Sequence, residues 1–185
     1  SFATQKGSER LELVIDALAK AKPDSVIELC RRLGRMPLTA EHVGRIRSIH
    51  EECGDARSRV AIAIVLLDCT HDEKYFQELL TVAAREPAMP TSRDPEEAAR
   101  DGLYSYSVRS KRRHKEVAAL ARKILEKTPA NLDPLPLSFS ESIAALGQLG
   151  ERTDVQILKK FYVPKDGDFT YYLVLAIASL DPAAG

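Results

Sequence analysis

Apolar residues recur three and four positions apart along almost the whole chain, and the two-residue alternation of a half-buried strand is missing. This pattern predicts an all-α protein. Leu11, Val14, Ile15 and Leu18 mark a first helix near Ser8 to Ala21. Pro23 and Asp24 break and restart it, and Val26, Ile27, Leu29, Cys30 and Leu33 carry a second helix that Gly34 ends in the usual glycine position. Thr39 is placed to cap a third helix through Val43, Ile46, Ile49 and Cys53, stopped by Gly54, and Asp55 is placed to cap a fourth. The run Val60 to Leu67 in that fourth helix is apolar on every face, which predicts burial on most sides.

Asp72 opens a fifth helix with Tyr75, Phe76, Leu79, Leu80 and Val82 on one stripe. After a loop from Pro87 to Pro95, the order Asp94, Pro95, Glu96, Glu97 is a helix start: cap, first-position proline, then acids that complement the dipole. That helix is expected to end around Tyr104 to Ser107. Another follows from about Ser110 to Lys127, with Val117, Leu120, Ala121, Ile124 and Leu125 on its apolar face. A second Pro-rich loop, Thr128 to Pro136, precedes a last block in which Ser138 and Glu141 have capping-box spacing.

In this last block Ile143-Ala144-Ala145-Leu146-Gly147-Gln148-Leu149-Gly150 is followed by Asp154 and then Ile157-Leu158. An apolar helix ending in Leu-Gly, then an Asp-capped helix with an apolar stripe, resembles a HEAT repeat. The match is best over residues 138–181. Looser copies run through Ala63, Ile64, Leu67, Asp72, Tyr75, Phe76 and Leu79, and through Tyr171, Leu173, Leu175, Ala176, Leu180 and Asp181. The resemblance implies stacked antiparallel helical hairpins, a HEAT-like α-solenoid or α-α superhelix with degenerate repeats. It is read as one domain over 1–185 with sub-blocks 8–86, 94–127 and 137–181. One hairpin cannot bury its apolar face alone, whereas stacked neighbours make a continuous core. The helix at Tyr171–Leu180 is apolar nearly all round, so it needs a cover, from a continuation of the chain or from self-association.

Composition narrows the function classes. Hydrophobic residues make up 44% and charged residues 29% of the chain, which excludes global disorder. The 27 basic and 27 acidic residues cancel, against the basic surplus of a duplex nucleic-acid binder. An odd cysteine count, Cys30, Cys53 and Cys69, points to a reducing compartment, with the cytoplasm as the default. No apolar run approaches the ~20 residues needed to span a bilayer. No secretory leader is visible, although Ser1 in place of Met leaves a removed leader open.

Candidate chemistry is sparse. His50, Cys53, Cys69 and His71 are metal-ligating types. Antiparallel neighbours would, however, set Cys53 beside Asp55 and Cys69 at the far end of a helix about 20 Å long. HEAT-like deoxyhypusine hydroxylases need several His-Glu dyads, and only His50-Glu51 is present beside the reversed Glu41-His42. The basic run Arg109, Lys111, Arg112, Arg113, His114, Lys115 opens a charged face that continues through Arg122, Lys123 and Lys127. Glu116 and Glu126 each fall four residues after an arginine there, as on a solvated face. HEAT-like DNA glycosylases use such basic surfaces together with aromatic side chains, notably Trp, which this chain lacks.

Tyr104 and Tyr106 lie beside the basic run, and Tyr with Arg is the pairing that dominates interface anchors. The reading is therefore a non-enzymatic protein–protein interaction module (adaptor, assembly factor or inhibitor of a partner). Its anchors are Tyr104, Tyr106, Arg109, Arg112 and Arg113, with no catalytic residue, cofactor or metal. The alternatives are an enzyme or chaperone resembling the HEAT-like bilin lyases, and nucleic-acid binding through the basic 109–127 helix.

Overall fold

The helix boundaries follow local chemistry. Thr39 caps α3 (Ala40–Glu52) by a reciprocal arrangement in which the His42 ring accepts the Thr39 N–H at 3.1 Å. Asp55 caps α4 (Ala56–Thr70) by accepting the Ser58 N–H at 2.8 Å. Pro95 occupies the first turn of α6 (Pro95–Ser110). The structure is a computed structural model that describes residues 2–85, 94–129, 137–162 and 168–182, and among these every regular element is helical and no strand occurs. The remaining helices are α1 (Phe2–Ala19), α2 (Pro23–Leu33), α5 (Glu73–Ala83), α7 (His114–Lys127), α8 (Leu137–Leu149), α9 (Val155–Lys159) and α10 (Asp168–Leu180). The Pro-rich stretches around Pro90 and Pro134 lie outside the described residues.

Several helix ends differ from the sequence expectation: α1 begins at Phe2 and not near Ser8, and Asp94 precedes α6 without a capping hydrogen bond from its side chain. Gly34 closes α2 with φ −62°, a right-handed conformation, because Arg35 and Met36 tighten the last turn with three-residue hydrogen bonds. α6 runs on to Ser110. The break before α7 is made by Lys111 and Arg113, whose φ values of 57° and 60° place non-glycine residues in the left-handed region. Asp154 does not cap a helix with its side chain. A short turn, Arg152–Asp154, leads into α9, and Asp154 faces inward instead.

The chain divides into two compact units, Ser1–Thr81 and Val82–Gly185, so the division falls within α5 and not in the Pro-rich stretch after it. In the first unit α1 packs on α2 and α3, and α4 packs on α2 and α3. The apolar α4 is buried through Val60, Ile62, Ala63, Val65, Leu66 and Leu67, as its all-round hydrophobicity requires. His42 and Arg45 of α3 both bond Glu12 of α1, which fixes the register of that pair.

In the second unit α8 packs on α6, α7 and α10, and α9 packs on α7 and α10. Leu125, Phe139, Ile143, Leu146, Leu158 and Leu173 are part of its core. α8 and α10 approach very closely at Gly147, where an added Cβ would lie 2.7 Å from the Ala176 Cβ and 2.8 Å from its Cα. Gly147, in the last turn of α8, is thus also the point where two helices meet. Gly150 is required for a different reason: a Cβ there would meet the Leu146 carbonyl oxygen at 2.4 Å and Asp154 Oδ2 at 2.7 Å.

Candidate functional site

The five anchor residues read from the sequence all lie in the second unit, and α6 distributes its share of them in different directions. Tyr106 is 2% exposed and belongs to the interior, so it presents no ring to a partner. Tyr104 is half-buried and lines a crevice with Arg100, Leu120, Ile124 and Glu141. Two residues apart on a helix is about 200° around the axis, which is why the pair cannot share a face. Arg109, Arg112 and Arg113 are exposed around the α6–α7 turn. The turn's backbone is held from inside: Ser107 Oγ donates to the Arg112 carbonyl at 2.7 Å and His114 Nε2 donates to the Ser107 carbonyl at 3.1 Å. The structure therefore leaves the three arginines exposed around one turn, half-buries Tyr104 and buries Tyr106.

The charged face of α7 is less available than its sequence suggests. Arg122 reaches Asp154, 32 residues on, with Nε and a terminal nitrogen at 2.6 and 2.9 Å. Asp154 is 1% exposed and also accepts the Glu151 N–H at 2.8 Å. Burial alone would raise the Asp154 carboxyl, but the Arg122 and Glu151 donors outweigh it and hold the group below the usual aspartate range. Glu116 pairs with Arg113 at 2.9 Å, three residues before it, and not with Arg112.

The crevice beside Tyr104 is a feature that periodicity could not show. Glu97 and Arg100 form a buried pair at 3.3 Å on α6, and Arg100 also donates to the Ala83 and Arg85 carbonyls at 2.9 and 2.8 Å. Glu141 Oε2, on α8, is buried with no hydrogen-bond partner among the described residues. Burial, then the charges of Asp101 and Glu97, push Glu141 up to about 7. The crevice's volume of about 20 Å³ admits one water molecule.

The outward face of α10 has a different character. Tyr171 and Tyr172 are 64% and 56% exposed, and Val174, Leu175 and the preceding Tyr162 are also open to solvent. The rings of Tyr171 and Tyr172 meet edge to face at 6.0 Å. No charged residue occurs between Phe169 and Leu180.

Among the described residues no group of three or more His, Cys, Asp or Glu is placed to hold a metal ion, and no helix is long and apolar enough to cross a membrane. Cys53 Sγ lies 3.5 Å from the Asp55 carbonyl, while Cys69 and His71 stand at the other end of α4. All three cysteines are free thiols. Burial, reinforced by Cys53, pushes the Cys30 thiol up to about 12, so it is unreactive near neutrality. No family model matches the chain, and no curated protein and no solved structure matches it either.

Proposed function

We propose that this chain is a non-enzymatic protein–protein interaction module built of HEAT-like stacked hairpins, and that it docks its partner on the outward face of α10. The architectural support is that helices neighbour their next-but-one helix as well as the adjacent one: α1 with α3 and α2 with α4, then α6 with α8, α7 with α9 and α8 with α10. Hairpins stacked on hairpins have this adjacency. Three free cysteines suit a reducing, cytoplasmic setting.

One observation carries the surface: most of the large apolar side chains exposed among the described residues lie on α10, at Tyr171, Tyr172, Val174 and Leu175. The two tyrosines and two aliphatic side chains expose on the order of 400 Å², the size of the largest apolar patch on a typical monomer, which is often functional. The occupant is the apolar stripe of an amphipathic helix from a partner protein, because a helix uncharged from Phe169 to Leu180 offers a mainly apolar surface with two tyrosine hydroxyls and no charge to pair. An occupant docked through this face alone would bury about 800 Å² in total, below the range of a stable complex, so the partner also contacts residues beyond α10.

The test compares wild type with a Tyr171→Asp, Leu175→Asp variant and with an Arg109→Glu, Arg112→Glu, Arg113→Glu variant. All these sites are exposed, so the fold should persist, as circular dichroism would confirm. The expected result is a protein captured by wild type, lost by the α10 variant, and rebound when both components are purified. A partner held equally by the α10 variant overturns the surface. A concentration-dependent dimer in sedimentation that the α10 variant abolishes, with no other partner, assigns the face to a second copy and overturns the adaptor reading.

A further inference from the structure

The first unit carries a groove that the interaction reading does not use. It runs between the N-terminal half of α3 and the C-terminal end of α4, has a volume of about 540 Å³, and is lined by Leu38, Val43, Gly44, Arg47 and Cys69 among others. That is the size of a small-molecule site. Gly44 sits inside α3, where glycine is the least favourable residue short of proline. Among the described residues no contact demands it: a Cβ at Gly44 would meet no atom within 4 Å, and its φ is not positive. The open space over this stretch of helix is thus kept free by the sequence without any neighbour filling it.

Arg47 lies one turn further along the same helix. Its Nε donates to the Tyr75 hydroxyl at 3.2 Å, which fixes the plane of the guanidinium. No ion pair engages Arg47 among the described residues, and Glu51, the acid four residues on, is paired with Lys74 at 3.5 Å. The two terminal nitrogens therefore form an uncommitted fork, the geometry that grips a carboxylate in two parallel hydrogen bonds. The neighbouring hydroxyls are already occupied. Thr39 Oγ1 bonds the His42 ring at 2.9 Å, and Thr70 Oγ1 donates to the Leu66 carbonyl at 2.7 Å and accepts the Asp72 N–H at 3.2 Å. One cation with no spare hydroxyl matches a single negative charge better than the two of a phosphate monoester.

We propose that this groove binds small apolar carboxylates, with Arg47 holding the carboxylate and the apolar body lying along Leu38, Ala40, Val43 and the bare helix surface at Gly44. The inference stands independently of the α10 surface. Octanoate is the probe, with 1-octanol, octylamine and inorganic phosphate as comparisons. Cys69 supplies the readout, because it lines the groove and is the exposed thiol of the three. Its alkylation by N-ethylmaleimide, followed by peptide mass, should slow saturably with octanoate. The other three compounds should need at least about tenfold higher concentration, the factor that corresponds to one charge-assisted hydrogen bond. Arg47→Gln should weaken octanoate protection about tenfold and leave the octanol response unchanged. Gly44→Leu should abolish protection, and if that variant does not fold, Arg47→Gln alone decides. Protection that never saturates, equal protection by octanol, or an unchanged response in Arg47→Gln overturns the proposal.

Discussion

The close approach of α8 and α10 allows a substitution whose sign runs against helix propensity. Gly147→Ala places a methyl group in the last turn of α8, where propensity alone stabilises by up to about 1 kcal/mol. Its Cβ would lie 2.7 Å from the Ala176 Cβ and 2.8 Å from the Ala176 Cα, one of them a backbone atom. Ordinary van der Waals separation is about 3.5 to 4.0 Å, so the helices must move apart by roughly 1 Å. A displacement on that scale in a packed core costs about 1–3 kcal/mol from strain, and the weakened dispersion between the neighbouring side chains adds to this. The expected net effect is destabilisation by about 1–2 kcal/mol. Gly44→Ala is the internal control, because its Cβ meets nothing within 4 Å and should stabilise by about 0.5–1 kcal/mol. Urea unfolding followed by far-ultraviolet circular dichroism reads both, with the effect of Gly147→Ala confined to the second unit. Adding Ala176→Gly should recover only part of the loss, since the backbone of residue 176 still obstructs the new methyl group. A Gly147→Ala protein as stable as wild type would refute the close-packing explanation.

Three further substitutions test the charged groups of the second unit, one half-buried, one buried and one exposed. Glu141 is raised to about 7 from the ordinary value of 4.5, so the folded state holds its proton more tightly than the unfolded state. Stability should therefore fall as pH rises from about 4.5 to 7 and level off above that range. The full shift corresponds to about 3 kcal/mol, reduced to about 1–2 kcal/mol by solvent screening of a partly exposed group. Glu141→Gln should flatten that slope, and an unchanged profile in denaturant titrations at several pH values would count against it. Asp154→Asn leaves Arg122 without its charge partner and should cost about 2–4 kcal/mol, whereas Arg113→Ala, which removes an exposed pair, should cost under about 1 kcal/mol by the same assay.

Helices and their caps were legible because they depend on neighbours in sequence. Thr39, Asp55 and Pro95 act where the pattern placed them, and the burial of α4 follows from its all-round hydrophobicity. The open face of α10 was legible for the same reason: a helix with a long uncharged run has more apolar faces than its neighbours cover. What periodicity missed depends on distance in space. Arg122 looked like a surface charge because its partner is 32 residues away. Tyr106 looked like an anchor because its spacing from Tyr104, and not its composition, decides which way it points. Glu141 and the Arg47 fork gave no signal, since one is set by burial between helices and the other by the groove that α3 and α4 leave between them. A three-residue spacing between a helical glycine and an arginine is too common to be read as a site without the groove around it.

Arg100 has an implication for how this chain tolerates change. Its guanidinium bonds the carbonyls of Ala83 and Arg85 from α6 while pairing with Glu97, and so clasps the end of α5 to the helix that follows. The tie is buried and charge-assisted, so it joins the end of α5 to the start of α6 through space as well as along the chain. A change at position 100 therefore loosens a junction between two helices and not only an ion pair.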